Sequence, residues 1–251
     1  MDSIRYVAFI DILGFKALVE KFQGRSDELG QMMKELFTSA ILAAMTGESV
    51  HIRKHPDPRT LPTDVMYYQF SDSVIFYTRD DTSASLEKIV KVLCLLFARA
   101  SLIGFPLRGG LVKGEIHADP PIILGRAVNK AYELEGKQNW SGLIVDDSCF
   151  AGPEEQQTKN GLLQQKWMVK TTVPIKGEPY GAEMHVINWA EFVGLRLSSM
   201  EEFQANLTKY VGHPKTEAEK EKIANTISFL KAYIGSSLLP SFLLPAILRE
   251  P

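Results

Sequence analysis

Asp11 and Asp72 are the residues of this 251-residue chain whose placement most invites chemistry. Asp11 ends the apolar run Tyr6-Val7-Ala8-Phe9-Ile10, and Asp72 lies between Met66–Phe70 and Val74–Tyr77, in a gap that only a tight turn closes. Each carboxylate thus stands where a strand meets a turn. Two carboxylates placed side by side repel unless a cation lies between them. Hard divalent ions such as Mg²⁺ take oxygen ligands from one or two carboxylates plus substrate phosphates, so a two-metal nucleotide site fits the pair. A plain structural role also fits, with Asp72 making a hairpin turn and Asp11 capping the helix that follows. His51 and His55 are four apart, but Pro56, Pro58 and Pro62 deny them a helix, and a solvated loop is expected there.

The elements that must position these residues follow from periodicity. Leu29, Met32, Met33, Leu36, Phe37 and Ala40 recur at helical spacing, giving a helix over about 26–45 with this face in the core. Residues 66–70 and 74–77 form a hairpin with Asp72 at its tip, in which Tyr67 and Tyr68 point to opposite faces. Ser85 caps a helix over about 86–100, and Leu107–Ile116 is a strand whose internal glycines mark close approach of another group. A helix over 126–135, a strand at 142–145 and strands near 167–173 and 183–189 complete an α/β or α+β pattern. After Trp189 the chain turns helical: Thr216-Glu217-Ala218-Glu219 is a capping box, and Ile223, Ile227 and Leu230 supply the apolar face of a helix over about 217–234.

Composition excludes several classes. The chain is 45% hydrophobic and 23% charged, with a formal charge of −2, so disorder is excluded and no basic excess suits a nucleic-acid backbone. Cys94 and Cys149 read as reduced, buried thiols of a cytoplasmic protein, and the N-terminus enters a strand without a signal peptide. Leu238–Leu248 is apolar but too short to span a bilayer and is interrupted by Pro240 and Pro245; no stable membrane anchor is expected.

Phe9-Ile10-Asp11-Ile12-Leu13-Gly14-Phe15 resembles the F-x-D-I-x-G-F motif of class III nucleotidyl cyclases. Phe70-Ser71-Asp72-Ser73 is similar to that family's second metal-binding hairpin, and the run from Gly125 to Glu135 to its G-x-x-V-N-x-A-S-R-x-E segment. The three motifs come in the family's order, over about residues 5–190. The resemblance implies an α+β fold with a ferredoxin-like βαββαβ core, flanking helices and a helical extension, divided as a catalytic domain (1–190) and a C-terminal part (191–251). It implies closure of a nucleoside triphosphate to its 3′,5′-cyclic monophosphate with loss of pyrophosphate, using two Mg²⁺ or Mn²⁺ ions. The metal ligands would be Asp11, Asp72 and the Ile12 carbonyl; Phe9, Leu13, Gly14, Phe15 and Tyr68 would contact the nucleotide, with the amides of Leu13, Gly14 and Phe15 offered to phosphate. It also implies a homodimer with composite active sites, metals on one chain and ribose contacts on the other.

Departures from the family pattern concern the base and the transition state. Tyr68 stands where the purine-reading Lys would be and Ile122 where its acidic partner would be, which disfavours adenine and guanine. Asn129 matches the ribose-orienting Asn, but Glu133 replaces the transition-state Arg, so a cation must come from elsewhere. Arg108, Lys113, Arg126, Lys130 and Lys176 are the possibilities, with Arg108 and Lys130 placed in the catalytic set. The whole pattern looks like the pyrimidine cyclases of bacterial Pycsar antiphage systems, which implies UTP, or CTP, as substrate and a cyclic product that acts on a separate effector. Two rivals stand beside this reading. A dinucleotide-forming relative would carry a G-G-D/E-E-F hairpin, which Phe70-Ser71-Asp72-Ser73 does not match. A degenerate homologue serving as a nucleotide-binding or interaction module is favoured by Glu133 and opposed by both retained aspartates.

Overall fold

The computed structural model describes residues 3–46, 64–119, 122–194, 197–209 and 212–235. The expected loop at 51–62 and the apolar tail at 238–248 lie outside the described residues. Apolar alternation and helical periodicity build the α+β fold expected: β1 (Ser3–Ile12), α1 (Phe15–Lys21), α2 (Ser26–Thr46), β2 (Val65–Phe70), β3 (Ser73–Thr78), α3 (Ser83–Ile103), β4 (Leu107–Asp119), β5 (Ile122–Leu124), α4 (Arg126–Lys137), β6 (Leu143–Val145), α5 (Pro153–Gln164), β7 (Met168–Ile175), β8 (Glu178–Ile187), α6 (Met200–Thr208) and α7 (Glu217–Tyr233). The sheet runs β2-β3-β1-β4-β6-β8-β7, with β5 paired to β4 at its far end. Its first four strands are antiparallel in the order 2-3-1-4, which is the ferredoxin-like βαββαβ core; among the described strands only β4 and β6 pair in parallel.

The two faces of the sheet differ. Even-numbered β1 residues Tyr6, Ala8, Ile10 and Ile12 are buried in the main core, which α3 fills with side chains from Leu86 to Ile103. The odd-numbered face carries Phe9 and Asp11, and by register Ile75 and Tyr68 lie beside Phe9 while Ser73 and Phe70 lie beside Asp11. On β4 the same face holds Arg108, Gly110, Val112 and Gly114. Helix α4 lies across it. A Cβ at Gly110 would meet Leu134 Cβ at 2.7 Å and the Ala131 carbonyl at 2.8 Å, so this strand glycine sets how closely α4 approaches.

Local boundaries differ from the expected ones in three places. Thr82, not Ser85, caps α3: Asp80 accepts hydrogen bonds from the Thr82 amide and hydroxyl and from the Ser85 hydroxyl, drawing Ser85 into the first turn, while Thr82 receives the Ser85 amide. β4 runs on to Asp119 and turns back as β5, and α5 begins at Pro153, a residue suited to the first helical turn. Both cysteines are free and buried, as expected. α7 begins with the anticipated capping box, Thr216 and Glu219 satisfying each other's amides. No helix among the described residues is long and apolar enough to cross a membrane.

Candidate active site

β1 ends beside the β2–β3 turn because the two are tied by backbone: the Ile12 amide donates to the Asp72 carbonyl at 3.0 Å, and Asp11 pairs in register with Ser73. The turn is tight enough that Ser71 adopts φ 57°, and its carbonyl accepts the Gln69 side-chain amide at 3.1 Å. Asp11, at the end of the interior strand β1, and Asp72, in the β2–β3 turn 61 positions later, are thereby brought together at one end of the sheet. Their charges interact, and this interaction together with burial and the nearby Glu135 carboxylate pushes the Asp11 carboxyl up to about 6. Burial is the largest cause, while Arg108 and Lys222 pull the other way.

Arg108 pairs with Asp11 in register, with its guanidinium 3.9 Å from the Asp11 carboxylate. Its main partner is Glu135 of α4, also buried, and a second nitrogen donates to the Gln138 carbonyl at 3.2 Å. Gln138 is itself fully buried, donating to the Gly109 and Leu134 carbonyls and accepting from Trp140. Arg108 is therefore held at the end of α4 by a buried network and reaches Asp11 only with its outer edge.

The other residues expected at the site divide by position. Gly14 takes φ 76°, a left-handed turn that lets the chain leave β1 and enter the seven-residue α1. Of the three amides offered to phosphate, that of Leu13 already donates to the Pro106 carbonyl at 2.9 Å, which leaves Gly14 and Phe15 as the donors to consider. Phe9 packs edge-on against Tyr132 of α4, centroids 5.2 Å apart, and Tyr68 shares its face as the alternation required. Tyr67 turns instead to Phe37 and Phe76 in the core.

Asn129 and Lys130 are exposed on α4 and lie six and five residues before Glu135, about 9 and 8 Å along the axis at 1.5 Å per residue. They do not join the Asp11–Arg108 cluster of their own chain. Lys130 is paired with Asp146 at 2.6 Å. Among the other proposed cations, Lys113 points to the opposite sheet face, bridging Asp81 and Glu155 beneath Tyr6, because its register partner is an even-numbered β1 residue. Arg126 is exposed at the start of α4, and Glu133 is exposed as well. Lys176 donates to the Gly136 carbonyl at 2.6 Å and interacts electrostatically with Asp11, Arg108 and Glu135.

Lys222 of α7 was not among the sequence candidates, yet its charge interacts with Asp11, Arg108 and Lys176. Its spacing of four from Thr226 places it on the inward side of α7, the one signal in the sequence that could have singled it out.

Among the described residues no three or more His, Cys, Asp or Glu side chains gather as a metal cluster. Two carboxylates suit a Mg²⁺- or Mn²⁺-class ion that completes its shell with water and substrate phosphate, and crowding of Asp11 by Asp72 and Glu135 is the electrostatic situation a cation relieves. The donor set therefore fits hard divalent ions, which Asp11, Asp72 and the Ile12 carbonyl would hold.

No family model matches the chain, and no curated protein matches it. Among solved structures it is similar to the catalytic core of a rhodopsin-guanylyl cyclase with converted specificity in complex with ATPαS, at 15% identity over 74% of this chain and 96% of that one, with a TM-score of 0.49. It is also similar to an adenylate/guanylate cyclase/hydrolase from Silicibacter pomeroyi, at 15% identity over 74% and 97%, with a TM-score of 0.46.

Proposed function

We propose that the protein is a nucleotidyl cyclase that converts a pyrimidine nucleoside triphosphate, UTP in preference to CTP, to its 3′,5′-cyclic monophosphate and pyrophosphate. The observation that carries this reading is the convergence of Asp11 and Asp72 at one end of the sheet, with Asp11 on the face shared with Tyr68 and beside the Gly14 turn. Bound divalent ions would supply Lewis acidity, lowering the pKa of the ribose 3′-hydroxyl and neutralising phosphate charge. Asp11, Asp72 and the Ile12 carbonyl hold them, the amides of Gly14 and Phe15 orient phosphate oxygens, and Phe9 with Tyr68 forms a surface for the nucleoside. A tyrosine and the exposed, apolar Ile122 provide no charged pair for a purine edge, which is the support for a pyrimidine.

Asn129 belongs to this site in trans. It lies about a helix turn and a half from Glu135, too far along α4 to meet its own Asp11 cluster, so a homodimer that faces α4 of one chain to the β1 edge of its partner forms two composite sites. Exposed Phe70 (76%), Tyr132 (58%), Ile122 (56%) and Leu124 (56%) on and beside this face supply apolar area for such an interface. In this reading residues 1–190 form the catalytic domain and 191–251 a helical extension; the enzyme is cytoplasmic, and its product serves antiphage defence by acting on a separate effector.

The test is incubation of purified protein with each of ATP, GTP, CTP and UTP plus Mg²⁺ or Mn²⁺, with products identified by mass. Cyclic UMP or CMP from the wild type and none from a folded Asp72→Ala variant is expected. Cyclic AMP or GMP as the main product refutes the base assignment, and full activity in Asp72→Ala refutes the metal assignment. A folded wild type that binds nucleotides and cyclises none is the result the degenerate binding module requires.

A further inference from the structure

Among the described residues of β1, the hairpin and β4, the cation nearest Asp11 is Arg108, which Glu135 and Gln138 hold, and the family's arginine position is Glu133. A cavity of about 430 Å³ opens beside the Leu13–Gly14 turn, within the rough 300–1,000 Å³ of small-ligand sites. One wall is the β1–α1 turn with Lys16; the opposite wall is α7, which presents Lys222 and Thr226. α7 is pinned there by three hydrogen bonds: the Ser141 amide to Thr226 Oγ1 at 2.9 Å, Asn225 to the Asn139 carbonyl at 2.9 Å, and Asn139 to Glu221 at 2.8 Å.

We propose that Lys222, carried by α7 into the cavity beside Gly14, binds the polyphosphate of the substrate in the same chain that supplies Asp11. The ligand's identity as a nucleoside triphosphate rests on the cyclase reading above; the anion site itself rests on position. Lys222 is half-buried and makes no ion pair among the described residues. Burial chiefly, and then the charges of Arg108 and Lys176, hold its ammonium below the usual lysine range. Glu219 and Asp11 act in the other direction, but Glu219 is turned to the amides of Lys215 and Thr216, and Asp11 is a metal ligand in this reading. An incoming polyphosphate would relieve the mutual repulsion of Lys222, Lys176 and Arg108 and pair the half-buried ammonium. Glu20 of α1 also lines the cavity, and Lys16 and Lys215 line it with Lys222. The C-terminal helix thus becomes part of the binding machinery, not an appendage.

Binding of inorganic tripolyphosphate in the presence of Mg²⁺, followed by calorimetry on the full chain, tests this apart from turnover. Lys222→Gln should weaken binding by about tenfold or more, the size of one lost charge-assisted contact. Lys222→Arg should stay within about threefold of wild type, and Lys220→Gln, an exposed lysine on the same helix outside the cavity, should bind as wild type does. Equal binding by Lys222→Gln and wild type, or no binding by wild type, overturns the proposal. If Lys222→Gln does not fold, amide shifts in the wild type decide: saturable shifts at Gly14 and Ile223 on adding tripolyphosphate support the site, and their absence refutes it. Lys222-dependent binding with no cyclic product from any nucleotide leaves the anion site standing and removes the cyclase reading.

Discussion

Replacing Asp11 by Asn should make the metal-free protein more stable at pH 8, although it removes a residue central to the proposed activity. The Asp11 carboxyl is pushed from its ordinary value of 3.8 to about 6 by burial, Glu135 and Asp72, against Arg108 and Lys222. A raised acid pKa means that the folded state holds a proton which the unfolded state has already released, so stability falls as pH climbs from about 4 to about 6 and the whole penalty persists above that window. About two tenfold steps at 1.36 kcal/mol each set an upper bound of about 3 kcal/mol. A quarter of the side chain remains exposed, and solvent screening reduces the penalty to about 1–2 kcal/mol. For a chain of this length each kcal/mol moves Tm by about 2–4 °C, so Asp11→Asn should melt about 2–8 °C higher than wild type at pH 8 in chelator. The advantage should vanish below about pH 4, where wild-type Asp11 is protonated in both states. Mn²⁺ should raise the wild-type Tm more than that of the variant. Scanning calorimetry at pH 4, 6 and 8 provides the check; a variant no more stable than wild type at pH 8 would refute the account of a crowded carboxylate awaiting a cation.

Other perturbations probe the parts that hold the site. Arg108→Leu leaves Glu135, 4% exposed, buried without its cation and should cost about 3–5 kcal/mol in urea unfolding, much of it recovered in the Arg108→Leu/Glu135→Leu double variant. Gly110→Ala places a methyl against the Ala131 carbonyl and Leu134, so α4 must lift from the sheet; a loss of about 1–3 kcal/mol and weaker dimerisation in sedimentation are expected. Thr226→Val keeps the shape but orphans the buried Ser141 amide, and should lower stability by about 1–3 kcal/mol with increased hydrogen exchange along α7. Tyr68→Ala should change the ratio of UTP to CTP turnover; an unchanged ratio at normal rate would make Tyr68 a structural strand residue.

Interactions between near neighbours along the chain are the ones its residue pattern specifies. The hairpin around Asp72, the amphipathic helices α2 and α3, and the capping box of α7 are each specified by residues within a few positions of one another, and all are present, α3 with its cap moved from Ser85 to Thr82. Period-two alternation sufficed to put Tyr68 and Tyr67 on opposite faces. The motif order pointed to Asp11 and Asp72 as partners, and the α+β class followed from the alternation of strands and helices. Tertiary structure alone decided which cations stand near them, because that depends on contacts between distant segments. Lys113 and Arg108 lie on one strand, yet the register between β1 and β4 sends one to Tyr6 and the other to Asp11. Arg108 was then withdrawn from an open role by Glu135, 27 residues later, whose approach Gly110 permits. Lys222, 211 positions beyond Asp11, carries no motif, and only the docking of α7 on Asn139 and Ser141 brings its charge to the site. Spacing encodes faces and turns because those repeat within a helix or strand, whereas the meeting of charges across a fold is set by packing between elements that the local pattern does not describe.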